Sequence, residues 1–155
     1  MTRRVALAAA AGFLCLLVMG LALHWLTPTV DPDAVDFSRV EPARGRVLLC
    51  PKDLCARSDG EAPLFSVSAT RLREKLRAVA LSEPRMREVP LDIPDQLRFV
   101  QVSPVLRLED VIDVRIIARS SGASTLALLG RPASPSLDFG KSEGRLQRWI
   151  EGLAR

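Results

Sequence analysis

Tyrosine is absent from the chain, histidine occurs once, and aromatic residues make up only 5% of it. A single histidine, His24, leaves nucleophilic catalysis without a base beside a serine or cysteine, and no Gly-x-Ser-x-Gly elbow compensates. Few aromatics weigh against sugar stacking in a glycosidase and against base stacking on nucleic acid. Cys50 and Cys55 alone are too few ligands for a metal site, the one histidine, His24, falls at the end of an apolar run and no second cysteine pair exists, so no metal is expected. Gly140-Lys141-Ser142 lacks the upstream glycines of a phosphate-binding loop, and no cofactor motif occurs elsewhere. No internal repeat or low-complexity tract is present, although eleven prolines and nine glycines are scattered along the chain.

What the chain does contain is a long uncharged run. Residues 5–26, VALAAAAGFLCLLVMGLALHWL, would form a helix about 33 Å long, which matches the ~30 Å hydrocarbon core of a bilayer. Arg3 and Arg4 precede the run, and Asp31, Asp33 and Asp36 follow it, so the expected orientation is N-terminus in the cytoplasm and the remainder outside. Trp25 stands where an interfacial anchor is expected, and Thr27-Pro28 ends the helix. Residues 1–26 thus read as a cytoplasmic tip and a signal-anchor helix, with the lipid bilayer as partner. The alternative is a leader cleaved near Gly20-Leu21-Ala22. Either reading sends the rest of the chain to the outer, periplasmic side of a bacterial-type inner membrane. Cys15, in mid-span behind bulky Phe13-Leu14, reads as a small apolar membrane residue.

Net charge is +4, but Arg3 and Arg4 account for half of it; removing them from 22 basic residues leaves 20 against 18 acidic ones. Basic and acidic residues also alternate, as in the run from Arg71 to Arg77. That pattern lacks a basic patch, so nucleic acid is not an expected partner.

Residues 27–46, mixing Pro, Asp and Arg without periodicity, read as an extended stalk. Residues 47–155 read as one periplasmic α+β domain, an antiparallel sheet of four or five strands packed with two helices. Strands are expected at 46–50, 86–91, 97–102, 105–108, 111–118 and 124–129, from period-two alternation or β-branched content. A helix capped by Ser68 runs to about Leu81, with Ala69, Leu72, Leu76, Val79 and Ala80 on one face. A final helix follows Gly140, with Leu146, Trp149, Ile150 and Leu153 at i, i+3, i+4, i+7. Cys50 and Cys55 bracket Pro-Lys-Asp-Leu, a turn able to bring two Cβ atoms within bridging distance, and in an oxidising compartment a disulfide is expected. Free thiols are the alternative.

These segments, in this order, resemble the family known as domain of unknown function 1499 over about residues 48–153. CPKDLC is similar to its early Cys-Pro…Cys turn. The run from Arg107 to Arg115 resembles its Phe-Pro-Asp or Phe-Asp-Asp segment, with Asp110 kept and Glu109 in place of proline. Ser124-Thr-Leu-Ala-Leu resembles the strand before its Ser-Arg motif, of which Arg131 is the match. Asp138-Phe-Gly140, followed by Arg145 and Trp149, resembles its ending, with Ser142 and Glu143 where Asn and Arg are usual. The resemblance implies a fold and a compartment; no established activity accompanies it.

Asp110, Arg131, Asp138 and Arg145 are the resulting candidates for a polar cluster. Arginine forks on carboxylates at the end of a sheet either bind an anion and close a groove, or tie a loop to a helix. Three functions follow: a non-catalytic accessory or interaction subunit of an inner-membrane protein complex, a small-ligand or lipid-binding domain, and a carboxylate-dependent hydrolase using Asp110 and Asp138. The absence of a catalytic set favours the first, and the chain is not expected to be an enzyme.

Overall fold

The structure, a computed structural model, describes residues 12–19, 33–41 and 43–155. Five strands, β1 (Val47–Leu49), β2 (Met86–Val89), β3 (Gln96–Val102), β4 (Glu109–Ala118) and β5 (Ser124–Arg131), form one sheet in the order β1-β5-β4-β3-β2. Every neighbouring pair is antiparallel. With helices α1 (Ala69–Leu81) and α2 (Lys141–Ala154), the architecture is α+β.

Both helices lie on one face of the sheet. Ser68 caps α1 by accepting a hydrogen bond from the Arg71 amide at 3.3 Å. Leu72, Leu76 and Ala80 recur at four-residue spacing and are fully buried. Leu146, Trp149 and Leu153, spaced by three and four residues, are the buried stripe of α2, and both stripes meet Phe99, Ile112, Val114, Leu126 and Leu128 of the sheet. Trp149 stands edge-on to Phe99 with ring centroids 5.6 Å apart, the arrangement that the aromatic quadrupole favours.

The period of two sends Arg98, Val111, Asp113, Ala127 and Leu129 to the opposite face. This face is covered too. Residues 33–41, part of the stretch read as a stalk, lie across it as a strap with Phe37 completely buried. Phe37 packs in a cluster with Leu48, Ala127, Leu129 and the two cysteines, flanked by Val35 and Val40. The Val35 backbone is held at both ends by the Gln96 amide, which accepts from its N–H at 3.2 Å and donates to its carbonyl at 3.0 Å. One aromatic and two valines in an otherwise polar stretch are enough to hold the strap, because the sheet supplies a matching apolar floor. The strap then turns into β1 through Gly45, whose φ of +79° and closeness to Pro135 leave no room for a Cβ.

Cys50 and Cys55 are bridged, with Cα atoms 6.1 Å apart. The turn between them closes on the Pro51 carbonyl, which accepts from the Leu54 and Cys55 amides.

Two expected strands end differently. The strand expected at 86–91 stops at Val89 because Pro90 has no N–H for the ladder. Residues 105–108 are not a strand but the tip between β3 and β4, closed by a hydrogen bond from the Ser103 amide to the Leu108 carbonyl at 2.8 Å. Arg107 there has φ +53°, a left-handed conformation that no strand accommodates.

The apolar run at 5–26 lies largely outside the described residues, as do Arg3, Arg4 and Trp25. Its residues 12–19 are helical, with exposed side chains. Among the described residues no helix is long and apolar enough to cross a membrane.

Candidate functional site

The four candidate residues fall into three separate assemblies. Asp110 and Arg145 come together at the end of the sheet where β3 turns into β4. Asp110 faces Gln101 across the β3–β4 ladder, and Arg145 reaches them from the first turns of α2. The Arg145 guanidinium donates to the Gln101 side-chain carbonyl and lies 3.6 Å from Asp110 and 3.3 Å from Glu83. Glu83, just beyond α1, also accepts from the Trp149 indole at 2.7 Å. The Asp110 carboxylate takes a further hydrogen bond from the Ala133 amide at 3.1 Å. Arg145 is only 6% exposed, so its charge is balanced by Glu83 and Asp110 rather than by water. The assembly ties the end of α1, the start of α2 and two strands together.

Asp138 has a different task. Its carboxylate accepts from the Ser142 amide at 3.2 Å and from the Ser142 hydroxyl at 2.7 Å. The N-cap of α2 is Gly140, which has no side chain to offer, so Asp138 supplies the acceptor and places its charge at the positive end of the helix. Asp110 and Asp138 do border one cleft of about 350 Å³. Each carboxylate is already engaged, by Arg145 and by Ser142 respectively.

Arg131 sits on the opposite face. It donates to Asp113, whose other carboxylate oxygen accepts from Arg98. Arg98 and Asp113 are each 1% exposed. Arg98 also donates to the Asp33 carbonyl at 2.9 Å, so the triad is one of the fastenings of the strap. Asp113 stands in a β-branched run that reads simply as a buried strand, and Arg98 alternates with apolar neighbours as an outward residue would. The available signal was an acid and a base at matching parity in neighbouring strands, a pairing visible only once register is known.

A third feature was not singled out from the sequence. At the other end of the sheet, beside the start of α1, a groove of about 600 Å³ is bordered by Arg73, Arg115 and Arg119. Each of these has a partner: Arg73 the Pro94 carbonyl, Arg115 the Asp95 carboxylate, Arg119 both oxygens of Asp53. The bidentate bond from Arg119 holds the Asp53 carboxyl below the usual aspartate range. Among the described residues, no group of three or more His, Cys, Asp or Glu side chains is placed to hold a metal ion.

No family model matches the chain, and neither a curated protein nor a solved structure matches it.

Proposed function

We propose that this chain is a membrane-anchored, non-catalytic domain on the periplasmic side of a bacterial inner membrane, acting as an accessory or interaction subunit of a membrane protein complex. One observation carries the reading: the charged groups expected to form a site are consumed in holding the fold. Arg145 and Asp110 tie helices to strands, Asp138 caps α2, and Arg131 with Asp113 fastens the strap. A carboxylate-dependent hydrolase would need Asp110 or Asp138 released from these bonds. The Cys50–Cys55 bridge suits an oxidising compartment, and the 22-residue apolar run behind Arg3 and Arg4 supplies the anchor and its orientation. The domain fits a divergent relative of the domain of unknown function 1499 family, on the motifs that carry that resemblance.

Affinity capture of the full chain from membranes solubilised in mild detergent tests this. Recovery of a defined set of inner-membrane proteins in fixed proportion is expected. Recovery of lipid and chaperones alone sinks it. A second reading, a small-ligand or lipid-binding domain, draws on the groove bordered by Arg73, Arg115 and Arg119. A stoichiometric anionic compound released on denaturing the purified chain, and lost in Arg115→Ala, is its signature.

A further inference from the structure

The end of the sheet that carries the Arg145 latch also carries two loops with apolar tips. Val105 and Leu106 project from the β3–β4 connection at 84% and 65% exposure, and Phe139 from the β5–α2 connection at 83%. The two loops form the walls of one cleft, so these side chains make a single patch rather than scattered surface residues. The patch is held firmly. Arg107 and Phe139 both adopt left-handed backbone, at φ +53° and +48°, a conformation that bulky residues rarely adopt. It is sustained by the bond from the Leu108 amide to the Ser103 hydroxyl at 2.9 Å and by the Asp138 cap one residue before Phe139. Beside the patch lie exposed Arg107 and Lys141, and no ion pair engages either among the described residues.

Where the chain enters the domain decides what this patch faces. Asp33 is fastened at Arg98, and Val35 at Gln96, so the strap runs against the direction of β3. Asp33, where the described strap begins, is therefore its end nearer Val102 and the two apolar loops. Only residues 27–32 separate the apolar run from Asp33, a reach of at most about 25 Å when fully extended.

We infer that the loops at 103–108 and 132–140 rest on the bilayer that holds the anchor. Val105, Leu106 and Phe139 enter the headgroup region, and Arg107 and Lys141 meet anionic phospholipid phosphates. This rests on the membrane-anchor reading and deepens it: the domain is held flat on the membrane by its own end instead of swinging on a stalk. Apolar side chains beside lysine and arginine are the composition that interfacial binding needs, and basic residues near an anionic surface strengthen it.

The test uses the full chain carrying Cys15→Ser, reconstituted in vesicles of phosphatidylcholine with phosphatidylglycerol. An environment-sensitive fluorophore is attached in turn through Leu106→Cys, Phe139→Cys and Ser121→Cys, the last in the turn at the opposite end. Quenching by brominated lipid is expected to be several-fold greater at 106 and 139 than at 121, and to fall when phosphatidylglycerol is left out. Equal, water-like signals at all three positions in a chain that resists alkaline extraction overturn the docking and leave the anchor standing. A chain released by alkali overturns the anchor reading and the docking with it. A blue shift at 106 and 139 that brominated lipid does not quench means that protein covers the patch, which also overturns the proposal.

Discussion

The two faces of the sheet are closed by different means. The helical face is sealed by area: two amphipathic helices bring leucines and Trp149 onto a floor of Phe99, Ile112, Val114, Leu126 and Leu128. At about 25 cal/mol per Å² such burial drives collapse without specifying much about geometry. The other face is closed by a short strap with few apolar side chains, and directional bonds place it: the Gln96 amide on Val35, Arg98 on the Asp33 carbonyl, the cysteine bridge against Phe37. A buried ion pair contributes little net stability because desolvation offsets its attraction, yet removing one partner is costly. The first face therefore supplies most of the folding energy, and the second decides where the chain enters the domain.

The largest expected effect comes from the triad. Asp113→Ala removes the buried carboxylate that Arg98 and Arg131 share, and a loss of about 3–5 kcal/mol in urea unfolding is expected. Replacing all three residues together by apolar ones of similar volume should recover most of that loss. If the single and triple variants were equally unstable, the triad would be a driving contact, and the contrast between the faces would fail.

Phe37→Ala comes next. Truncating a buried phenylalanine costs about 3–5 kcal/mol in a closed core, but the strap can peel away locally, so the global loss should lie near the lower bound. Hydrogen exchange should show amides of 33–41 opening while those of α1 stay protected. Leu76→Ala makes the complementary case: a global loss of about 2–5 kcal/mol with no selective opening of the strap. Reducing the Cys50–Cys55 bridge is smaller again, about 2 kcal/mol for so short a loop, measured as a shift of the unfolding midpoint with reductant.

The same contrast explains what could be read from the sequence. Helix α1 was legible from Ser68 and the spacing of Leu72, Leu76 and Ala80, and α2 from Leu146, Trp149 and Leu153, because the period of 3.6 is a local property. The core of β4 was legible from its β-branched run. The strap was not: Phe37 among aspartates and prolines carries no period, and its burial depends on a floor made by residues about 90 positions later in the chain. The candidate site was half legible. Asp110 and Arg145 meet, but Arg131 belongs to the other face, because one position in a strand changes the side on which a residue lies. Glu83 and Gln101 entered the latch only through tertiary packing. Residues 105–108 misled by composition, since an exposed apolar tip and a short strand look alike until the turn is seen.

The smallest effect lies at the surface, where the ordering of the faces can be checked against a pair that neither face buries. Arg119 grips both oxygens of Asp53, joining the cysteine turn to the end of β4. The hydrogen bond from Arg119 is the main reason that the Asp53 carboxyl titrates below its ordinary value of 3.8. A depressed carboxyl stabilises the fold above its unfolded pKa, and that contribution disappears as pH falls through the lower folded value. The pair should therefore be intact across the neutral range and break only in strong acid. Both side chains reach water, so salt screens the attraction and little stability rides on it. In Arg119→Leu, the Asp53 carboxyl carbon followed by NMR should titrate closer to 3.8, while the urea midpoint at neutral pH hardly moves. An unchanged titration would mean that the grip does not form in solution. A large fall in the midpoint would mean that the cysteine turn, and not the buried triad, holds the second face closed.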